Sequence, residues 1–245
     1  MKQGFYTVAA NRPLTGTVWE MVLAGDTSAL TRPGQFVNIR LDGLYLRRPI
    51  SVCDWEEGCL TLLYKVVGAG TEAMAALPAG SRLDLLTGLG NGFDTAKSGD
   101  RPLLIGGGVG IPPLYGLAKA LRREGKEVTA VLGFNRREEI FYEEAFRSFG
   151  CRVIVTTADG SYGIPGFVTD GIRSLGEPYS FFYACGPEPM FRAAEQVVVT
   201  GGEYSFEERM GCGFGACMGC TCHTKYGNKR ICRDGPVLER EEIVW

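Results

Sequence analysis

The first hundred positions alternate apolar and polar residues, which predicts β-structure. Residues 35–41 and 59–67 alternate over short runs, and residues 15–23 are rich in Val, Thr and Trp. Gly, Pro and Asp separate these runs, a pattern typical of a small antiparallel β-barrel. Within this part, only residues 71–77 predict a helix, and it is short.

The pattern changes after residue 101. An apolar run at 102–105 ends in glycines, and Leu114, Leu117, Ala118 and Leu121 then follow at helical spacing. Further strands are predicted at 127–133, 151–156 and 180–185, and further helices at 138–149, 167–175 and 190–197. Alternating strands and helices indicate a parallel, doubly wound α/β sheet.

Four of the nine cysteines carry a metal-binding spacing near the end of the chain. Cys212, Cys217 and Cys220 form C-x4-C-x2-C, and Cys232 follows after eleven residues. This is the plant-type spacing that holds a [2Fe–2S] cluster by four thiolates. Interspersed glycines allow the chain to turn sharply and leave backbone N–H groups free to face sulfur.

A structural zinc site is the alternative for these cysteines. Zinc sites usually pair two C-x2-C hooks, and only Cys217 and Cys220 form one here, so an iron–sulfur cluster is favoured. His223 is the only histidine, which excludes a Rieske centre. Cys222 is left over, and we interpret it either as a thiol that contacts the cluster ligands or as a packing thiol.

Composition narrows the class of protein. The net charge of −2 over 245 residues provides no basic footprint for nucleic acid or an anionic membrane. The longest uncharged run, 102–118, is too short to span a bilayer and is broken by Gly and Pro. Nine cysteines without an apolar leader indicate a reducing compartment, so we expect a cytoplasmic protein.

Two short motifs in the β-rich part suit a nucleotide cofactor. Arg48 and Ser51, in the run 47–51, can together hold a phosphate oxygen and a flavin edge; the alternative is an edge strand with solvated arginines. Glycines at 68–70 before Thr71 make a helix start that can bind an anion, or simply a glycine turn capped by Thr71.

Two motifs at the carboxyl edge of the α/β sheet suit a second nucleotide. The glycine run 106–110 lies where a pyrophosphate binds, although Ile111 breaks the G-x-G-x-x-G pattern and no acidic residue closes the second strand. A tight turn without a ligand is the alternative. Cys185, ending the last strand before Gly186 and Pro187, either lines a nicotinamide pocket or is a buried thiol.

The order of these motifs resembles the ferredoxin–NADP reductase superfamily across nearly the whole chain. It is most similar to the family of electron transfer subunits of NAD-dependent dihydroorotate dehydrogenase B. The runs that carry the resemblance are 47–51, 133–134 with 140–144, 159–163, 208–217 and 232–237.

The resemblance implies three cofactors and their site residues. FAD would be held by Arg48, Pro49, Ile50, Ser51, Leu63, Tyr64, Lys65, Gly70 and Thr71. NAD would be held by Gly106, Gly107, Gly108, Gly110, Cys185, Gly186 and Pro187. The cluster ligands would be Cys212, Cys217, Cys220 and Cys232. Arg136 stands where NADP-using relatives often hold a 2′-phosphate, so NAD is an expectation.

The resemblance also implies a function and a division of the chain. Electrons from a separate FMN-containing catalytic subunit, which oxidises dihydroorotate in pyrimidine biosynthesis, would pass through the cluster and FAD to NAD⁺. We expect a FAD-binding barrel at 1–99, an NAD-binding domain at 100–203 and a cluster segment at 204–245. The chain itself would supply no catalytic acid or base.

The expected assembly is a heterotetramer of two catalytic and two electron transfer subunits, with no nucleic-acid or membrane partner. Phe214 and Met218, between the ligands, are candidate contacts with the partner or else pack beneath the cluster. One alternative is a subunit of a sulfide dehydrogenase or of an NADH-dependent ferredoxin:NADP oxidoreductase. A more distant one is a zinc-stabilised nucleotide-binding module.

Overall fold

The N-terminal part folds as a closed antiparallel barrel, as predicted. The computed structural model describes residues 1–245. The barrel strands are β1 (Lys2–Pro13), β2 (Val18–Ala24), β3 (Phe36–Arg40), β4 (Arg48–Glu56), β5 (Cys59–Lys65) and β6 (Arg82–Leu89). They close in the order β1-β2-β5-β4-β3-β6. Helix α1 (Ala69–Ala75) begins two residues before the predicted helix.

Side chains of strand β3 point alternately into the barrel core and toward a second core outside the barrel. Val37 and Ile39 are fully buried in the barrel core. Phe36, on the opposite face, belongs instead to a core that it shares with the C-terminal segment. Because neighbouring residues of a strand point to opposite faces, β3 separates two cores.

The second half of the chain forms a seven-stranded sheet, which confirms the predicted parallel α/β architecture. The remaining strands are β7 (Pro102–Gly107), β8 (Thr129–Phe134), β9 (Arg152–Thr157), β10 (Ile164–Pro165), β11 (Phe181–Cys185), β12 (Gly202–Ser205), β13 (Thr221–Thr224), β14 (Gly227–Arg230) and β15 (Val237–Glu239). The sheet order is β10-β9-β8-β7-β11-β12-β15, and only β15 is antiparallel to its neighbour.

The helices are α2 (Ile111–Arg123), α3 (Glu143–Ser148), α4 (Val168–Arg173), α5 (Glu188–Glu195) and α6 (Ile231–Asp234). The prediction of one helix over 138–149 is wrong. Tyr142 has a left-handed backbone with φ 63°, which separates a short 3₁₀ turn at Arg137–Glu139 from α3. No helix has both the length and the apolar character needed to cross a membrane.

The C-terminal segment leaves the sheet and returns to it. After β12 come the loop with three of the motif cysteines, the hairpin β13–β14 and α6, which carries Cys232; β15 then pairs with β12. The boundary predicted after residue 203 falls within β12. The three domain ranges therefore stay a prediction.

The barrel and the α/β domain meet through helix α2 and strand β4. A Cβ added at Gly116 would lie 2.7 Å from the carbonyl oxygen of Cys53, so the two backbones approach closely. The ammonium of Lys119, whose side chain is 7% exposed, pairs with the carboxylate of Asp54. The hydroxyl of Tyr142 donates a hydrogen bond to Glu20 Oε1 at 2.8 Å. These polar contacts orient the two domains.

We expect Asp54→Ala to lower the free energy of unfolding by about 3 kcal/mol, because it leaves the Lys119 ammonium buried without its main partner. Urea unfolding of the FAD-loaded protein measures this change. The control is Asp100→Ala, which removes a 99% exposed carboxylate 3.8 Å from Lys126 and should cost at most about 1 kcal/mol. Equal effects of the two substitutions would contradict the prediction.

Candidate functional site

The Arg-Pro-Ile-Ser strand and the glycine turn come together at one end of the barrel. A Cβ added at Gly70 would lie 2.1 Å from Arg48 Nε, so the Arg48 side chain lies directly against the glycine. The hydroxyl of Thr71 accepts hydrogen bonds from the N–H groups of Val67 at 2.9 Å and Gly68 at 3.3 Å. Thr71 thus stabilises the turn with its side chain, while Arg48 and the turn backbone form a cradle suited to a phosphate.

Strand β4 places Pro49, Ile50 and Ser51 at half-exposed positions beside this cradle. The three predicted flavin contacts on strand β5 lie in three different environments. Lys65 is half-buried and lines the large cleft described below. Leu63 packs into the core between the domains. Tyr64 points into the barrel, where its hydroxyl donates to Asn11 Oδ1 at 2.9 Å, so only its backbone faces outward.

A cleft of about 600 Å³ opens between the barrel and the α/β domain. Thr17, Val18 and Lys65 line it from the barrel side; Gly107, Gly108, Gly110, Gly186 and Pro187 line it from the sheet edge. A Cβ added at Gly110 would lie 2.3 Å from the carbonyl oxygen of Cys185, so the two predicted NAD loops touch. This size and position suit a dinucleotide end.

Two predicted NAD residues lie behind the cleft wall rather than on it. Gly106 is buried at the end of β7, where a Cβ would lie 2.8 Å from a side-chain carbon of Ile111. Cys185 is 2% exposed, and burial raises the pKa of its thiol. The thiol is therefore neutral and buried, and Cys185 shapes the cleft through its backbone.

The cleft also contains polar residues that the sequence did not point to: Asn135, Glu139, Thr156, Thr169 and Glu207. Thr156 is fully buried, and its Oγ1 has no hydrogen-bond partner. An orphaned hydroxyl at the cleft wall is suited to a ligand's polar atom. From the sequence, Thr156 could have been selected only because it lies at the carboxyl end of a predicted strand. Every strand of the sheet has such a residue, so this position does not single out Thr156.

Two residues that follow strand β8 hold the side chain of Glu139 by hydrogen bonds. Its carboxylate accepts hydrogen bonds from Asn135 Nδ2 at 2.9 Å and from Arg136 Nε at 3.2 Å. Burial opposes ionisation, but these two bonds prevail and lower the pKa of Glu139. The positive charge of Arg136 is therefore already paired with a carboxylate, which disfavours its use for a 2′-phosphate.

The four motif cysteines form two pairs. In the first pair, the N–H of Cys212 donates to Cys217 Sγ at 3.4 Å, and the N–H of Cys217 donates to Cys212 Sγ at 3.5 Å. In the second pair, the N–H of Cys232 donates to Cys220 Sγ at 3.4 Å. The first pair is partly exposed, and the second is buried.

This pairing suits two irons better than one zinc ion. In a [2Fe–2S] cluster the four protein ligands divide into two for each iron, as the two pairs do here. The residues present therefore fit the cluster that the spacing predicts.

Backbone donors favour the ionised form of Cys212. Burial opposes its ionisation, but the N–H groups of Phe214, Cys217 and Ala216 donate to its Sγ and lower its pKa to about 6. Burial, the hydrogen bond with Cys220 and neighbouring thiolates raise the pKa of Cys232 to about 12. Such crowded sulfurs bind iron as thiolates because the metal replaces their protons.

Glycine conformations and an arginine hold the loop between the ligands. Gly213 and Gly215 have left-handed backbones with φ of 78° and 92°. Arg230, just before α6, donates from Nη1 to the carbonyl oxygen of Gly215 at 2.6 Å. Cys222 lies outside both pairs, half-buried, and its Sγ donates only to the His223 carbonyl at 3.7 Å.

Comparisons with known proteins agree with this geometry. Residues 207–244 match the family model for the iron-sulfur cluster binding domain of dihydroorotate dehydrogenase B, and residues 104–196 match the oxidoreductase NAD-binding domain. The chain is 43% identical, over 256 residues, to the electron transfer subunit of dihydroorotate dehydrogenase B (NAD(+)) from Geobacillus sp. (strain WCH70), covering 100% of this chain and 99% of the relative. The same subunit from Shouchella clausii (strain KSM-K16) is also 43% identical, covering 99% and 98%.

A solved structure of an NADH-dependent reduced ferredoxin-NADP oxidoreductase, described for flavin-based electron bifurcation, has a similar fold. Its TM-score is 0.89 at 30% identity, covering 99% of this chain and 90% of that chain. A ferredoxin reductase of carbazole 1,9a-dioxygenase aligns with a TM-score of 0.70 at 26% identity, covering 80% and 64%. The shared architecture is thus a reductase fold.

We expect Gly70→Ala to lower the FAD content of the purified protein, because the added Cβ displaces the Arg48 side chain from the cradle. The bound FAD released by denaturation, measured per chain, tests this. Gly16→Ala is the matched control, since a Cβ there meets no atom within 4 Å. A full complement of FAD in Gly70→Ala would refute the role of the cradle.

We expect Glu139→Gln to raise kcat/KM for NADPH relative to NADH about tenfold, about 1.4 kcal/mol, because it removes a negative charge and frees Arg136. Steady-state diaphorase assays with both nucleotides measure the ratio. Glu138→Gln, an exposed neighbour that does not line the cleft, is the control and should leave the ratio unchanged. An unchanged ratio in Glu139→Gln would exclude Glu139 as a selectivity residue.

Proposed function

The chain belongs to the family of electron transfer subunits of dihydroorotate dehydrogenase B, and from this premise we propose that it passes electrons from a separate FMN-containing catalytic subunit to NAD⁺. It is an oxidoreductase subunit whose cofactors are a [2Fe–2S] cluster, FAD and NAD. The reaction served would be the oxidation of dihydroorotate in pyrimidine biosynthesis.

The main support for this proposal is a hydrogen bond between the cysteine loop and strand β3, which lies beside β4, the strand that contains the predicted FAD-binding residues. The side chain of Asn38 in β3 donates to the carbonyl oxygen of Cys212 at 3.0 Å. Asn38 pairs in the sheet with Pro49 of β4, the strand of Arg48 and Ser51. The candidate cluster, flavin and NAD sites therefore follow one another from the C-terminal segment across the barrel to the interdomain cleft.

The residues of this chain would bind the three cofactors and orient them relative to one another. Cys212, Cys217, Cys220 and Cys232 would ligate the cluster. Arg48 with Ser51, and Gly70 with Thr71, would hold FAD, and the two loops at 106–110 and 185–187 would hold NAD. When bound, the cluster carries single electrons, FAD takes up one or two, and NAD⁺ accepts a hydride. The low exposure of the second cysteine pair excludes water from that side of the ligand set.

The proposed contact with the catalytic subunit is the loop between the cluster ligands. Phe214 is 45% exposed and Met218 is 55% exposed, so neither packs beneath the ligands in this chain. Exposed apolar side chains beside a redox centre suit a partner surface. We propose an assembly of two catalytic and two electron transfer subunits.

We further propose that residues 1–99, 100–203 and 204–245 act as FAD, NAD and cluster units. All nine cysteines are free, which supports a reducing compartment such as the cytoplasm. A subunit of an NADH-dependent ferredoxin-NADP oxidoreductase is the second candidate because that fold matches with a TM-score of 0.89. The higher full-length identity of 43% favours the dihydroorotate enzyme.

The decisive experiment is anaerobic affinity purification of this chain from its own cells, followed by an assay of dihydroorotate-dependent NAD⁺ reduction. Activity in a fraction that contains an FMN protein supports the proposal. A brown, FAD-containing fraction without that activity would redirect the function to the ferredoxin or sulfide enzymes.

We expect Cys217→Ser to keep FAD and NADH-dependent dye reduction but to abolish dihydroorotate-driven NAD⁺ reduction, because only the second process needs the cluster. Both rates are measured in the assembled complex. Cys222→Ser removes a nearby thiol outside the two pairs and should keep both activities. Retained dihydroorotate-driven reduction in Cys217→Ser would argue against this electron route.

A further inference from the structure

The C-terminal segment covers the outer face of the barrel through a largely apolar contact. Phe36 of β3 and Leu86 and Leu89 of β6 share one core with Cys220 and Cys232. Asn38 points to the same face as Phe36, two positions along β3, and is only 1% exposed. A buried carboxamide in such a contact requires an explanation.

The Asn38 side chain forms a hydrogen bond with the cysteine loop at Cys212, the first of the four motif cysteines. Nδ2 donates to the carbonyl oxygen of Cys212 at 3.0 Å. A Cβ added at the next residue, Gly213, would lie 2.3 Å from Nδ2, so the loop approaches as closely as glycine allows. The amide cannot be reversed, since Oδ1 would then face another acceptor.

The other half of the carboxamide is unpaired. Asn38 Oδ1 is buried and has no hydrogen-bond donor. A buried carbonyl oxygen without a donor loses its hydrogen bonds to water on folding, whereas an apolar side chain of similar size would carry no such penalty. The Asn38 side chain therefore makes one hydrogen bond in this core, the one to the Cys212 carbonyl.

The backbone at Asn38 is fixed on both sides. Arg47 Nη1 donates to the carbonyl oxygen of Asn38 at 3.3 Å, and its Nη2 lies 2.8 Å from Asp84 Oδ2 on β6. Ile39, the next residue, pairs with Arg48 of the flavin strand. A loop attached to Asn38 is thus held at a defined place relative to the flavin cradle.

We propose that Asn38 is a positioning residue for electron transfer. By anchoring the Cys212 carbonyl, it holds the turn in which the N–H groups of Phe214, Ala216 and Cys217 donate to Cys212 Sγ. Such bonds stabilise the more negative, reduced cluster and so set its potential. The inference rests on the proposed function, because it assumes that a [2Fe–2S] cluster occupies these ligands.

The test is a redox titration, followed by electron paramagnetic resonance, of the holoprotein carrying Asn38→Leu or Asn38→Asp. Leu keeps the volume without polar atoms, and Asp keeps the shape without the Nδ2 donor. We expect the reduction equilibrium of the cluster to shift about tenfold toward the oxidised form, about 59 mV for a one-electron couple. FAD content and NADH-dependent dye reduction should stay as in the unmodified protein.

Asn91→Leu is the matched control. Asn91 also joins the barrel side to the C-terminal segment, donating from Nδ2 to the carbonyl oxygens of Val237 at 2.7 Å and Asp234 at 3.4 Å, but none of its side-chain hydrogen bonds reaches a motif cysteine. It should change stability and not the potential. An unchanged potential in whichever Asn38 variant folds with its cluster would overturn the inference and leave Asn38 a packing residue.

The titration does not require the catalytic subunit, so it separates the two hypotheses. A shifted potential without dihydroorotate-driven activity in the unmodified complex would support the role of Asn38 and reject the proposed function. An unshifted potential in the Asn38 variants, together with full dihydroorotate-driven activity in the unmodified complex, would reject the role of Asn38 and support the proposed function.

Discussion

Burial of the outer face of strand β3 is the interaction on which the rest of this structure depends. Phe36 and the neighbouring β6 leucines are buried in one core with Cys220, Ile231 and Cys232 of the C-terminal segment. The same core continues into the sheet through Phe182 and Tyr204. One apolar contact therefore joins the barrel, the α/β domain and the cluster segment, and the buried cysteine pair lies inside it.

The cleft depends on a second contact of a different kind. Lys119 of α2 pairs with Asp54 of β4, and Tyr142, just before α3, donates a hydrogen bond to Glu20 of β2. Polar contacts of this type are directional, so they define an orientation as well as an attraction. The loops at 107–110 and 186–187 line the cleft together with Lys65 and Val18 of the barrel.

The cysteine loop shows how local chemistry prepares a metal site. Left-handed glycines turn the backbone so that its N–H groups point at Cys212, which favours the thiolate there. Cys232 resists ionisation because it is buried beside another sulfur. Cys212 is thus prepared to ligate as a thiolate, whereas Cys232 would lose its proton when it binds a cation.

By itself, the sequence determined what depends on neighbours along the chain. Periods of two and 3.6 residues predicted the barrel and the parallel sheet correctly, and the cysteine spacing predicted a set of four cluster ligands, because these signals are local. The shortened helix at α3, the inward-facing Tyr64 and the buried thiol of Cys185 were decided by packing against distant elements. Asn38 and Cys212 are 174 positions apart, and no period or spacing relates them. Only the tertiary structure brings such residues together, since burial and hydrogen bonding act through space.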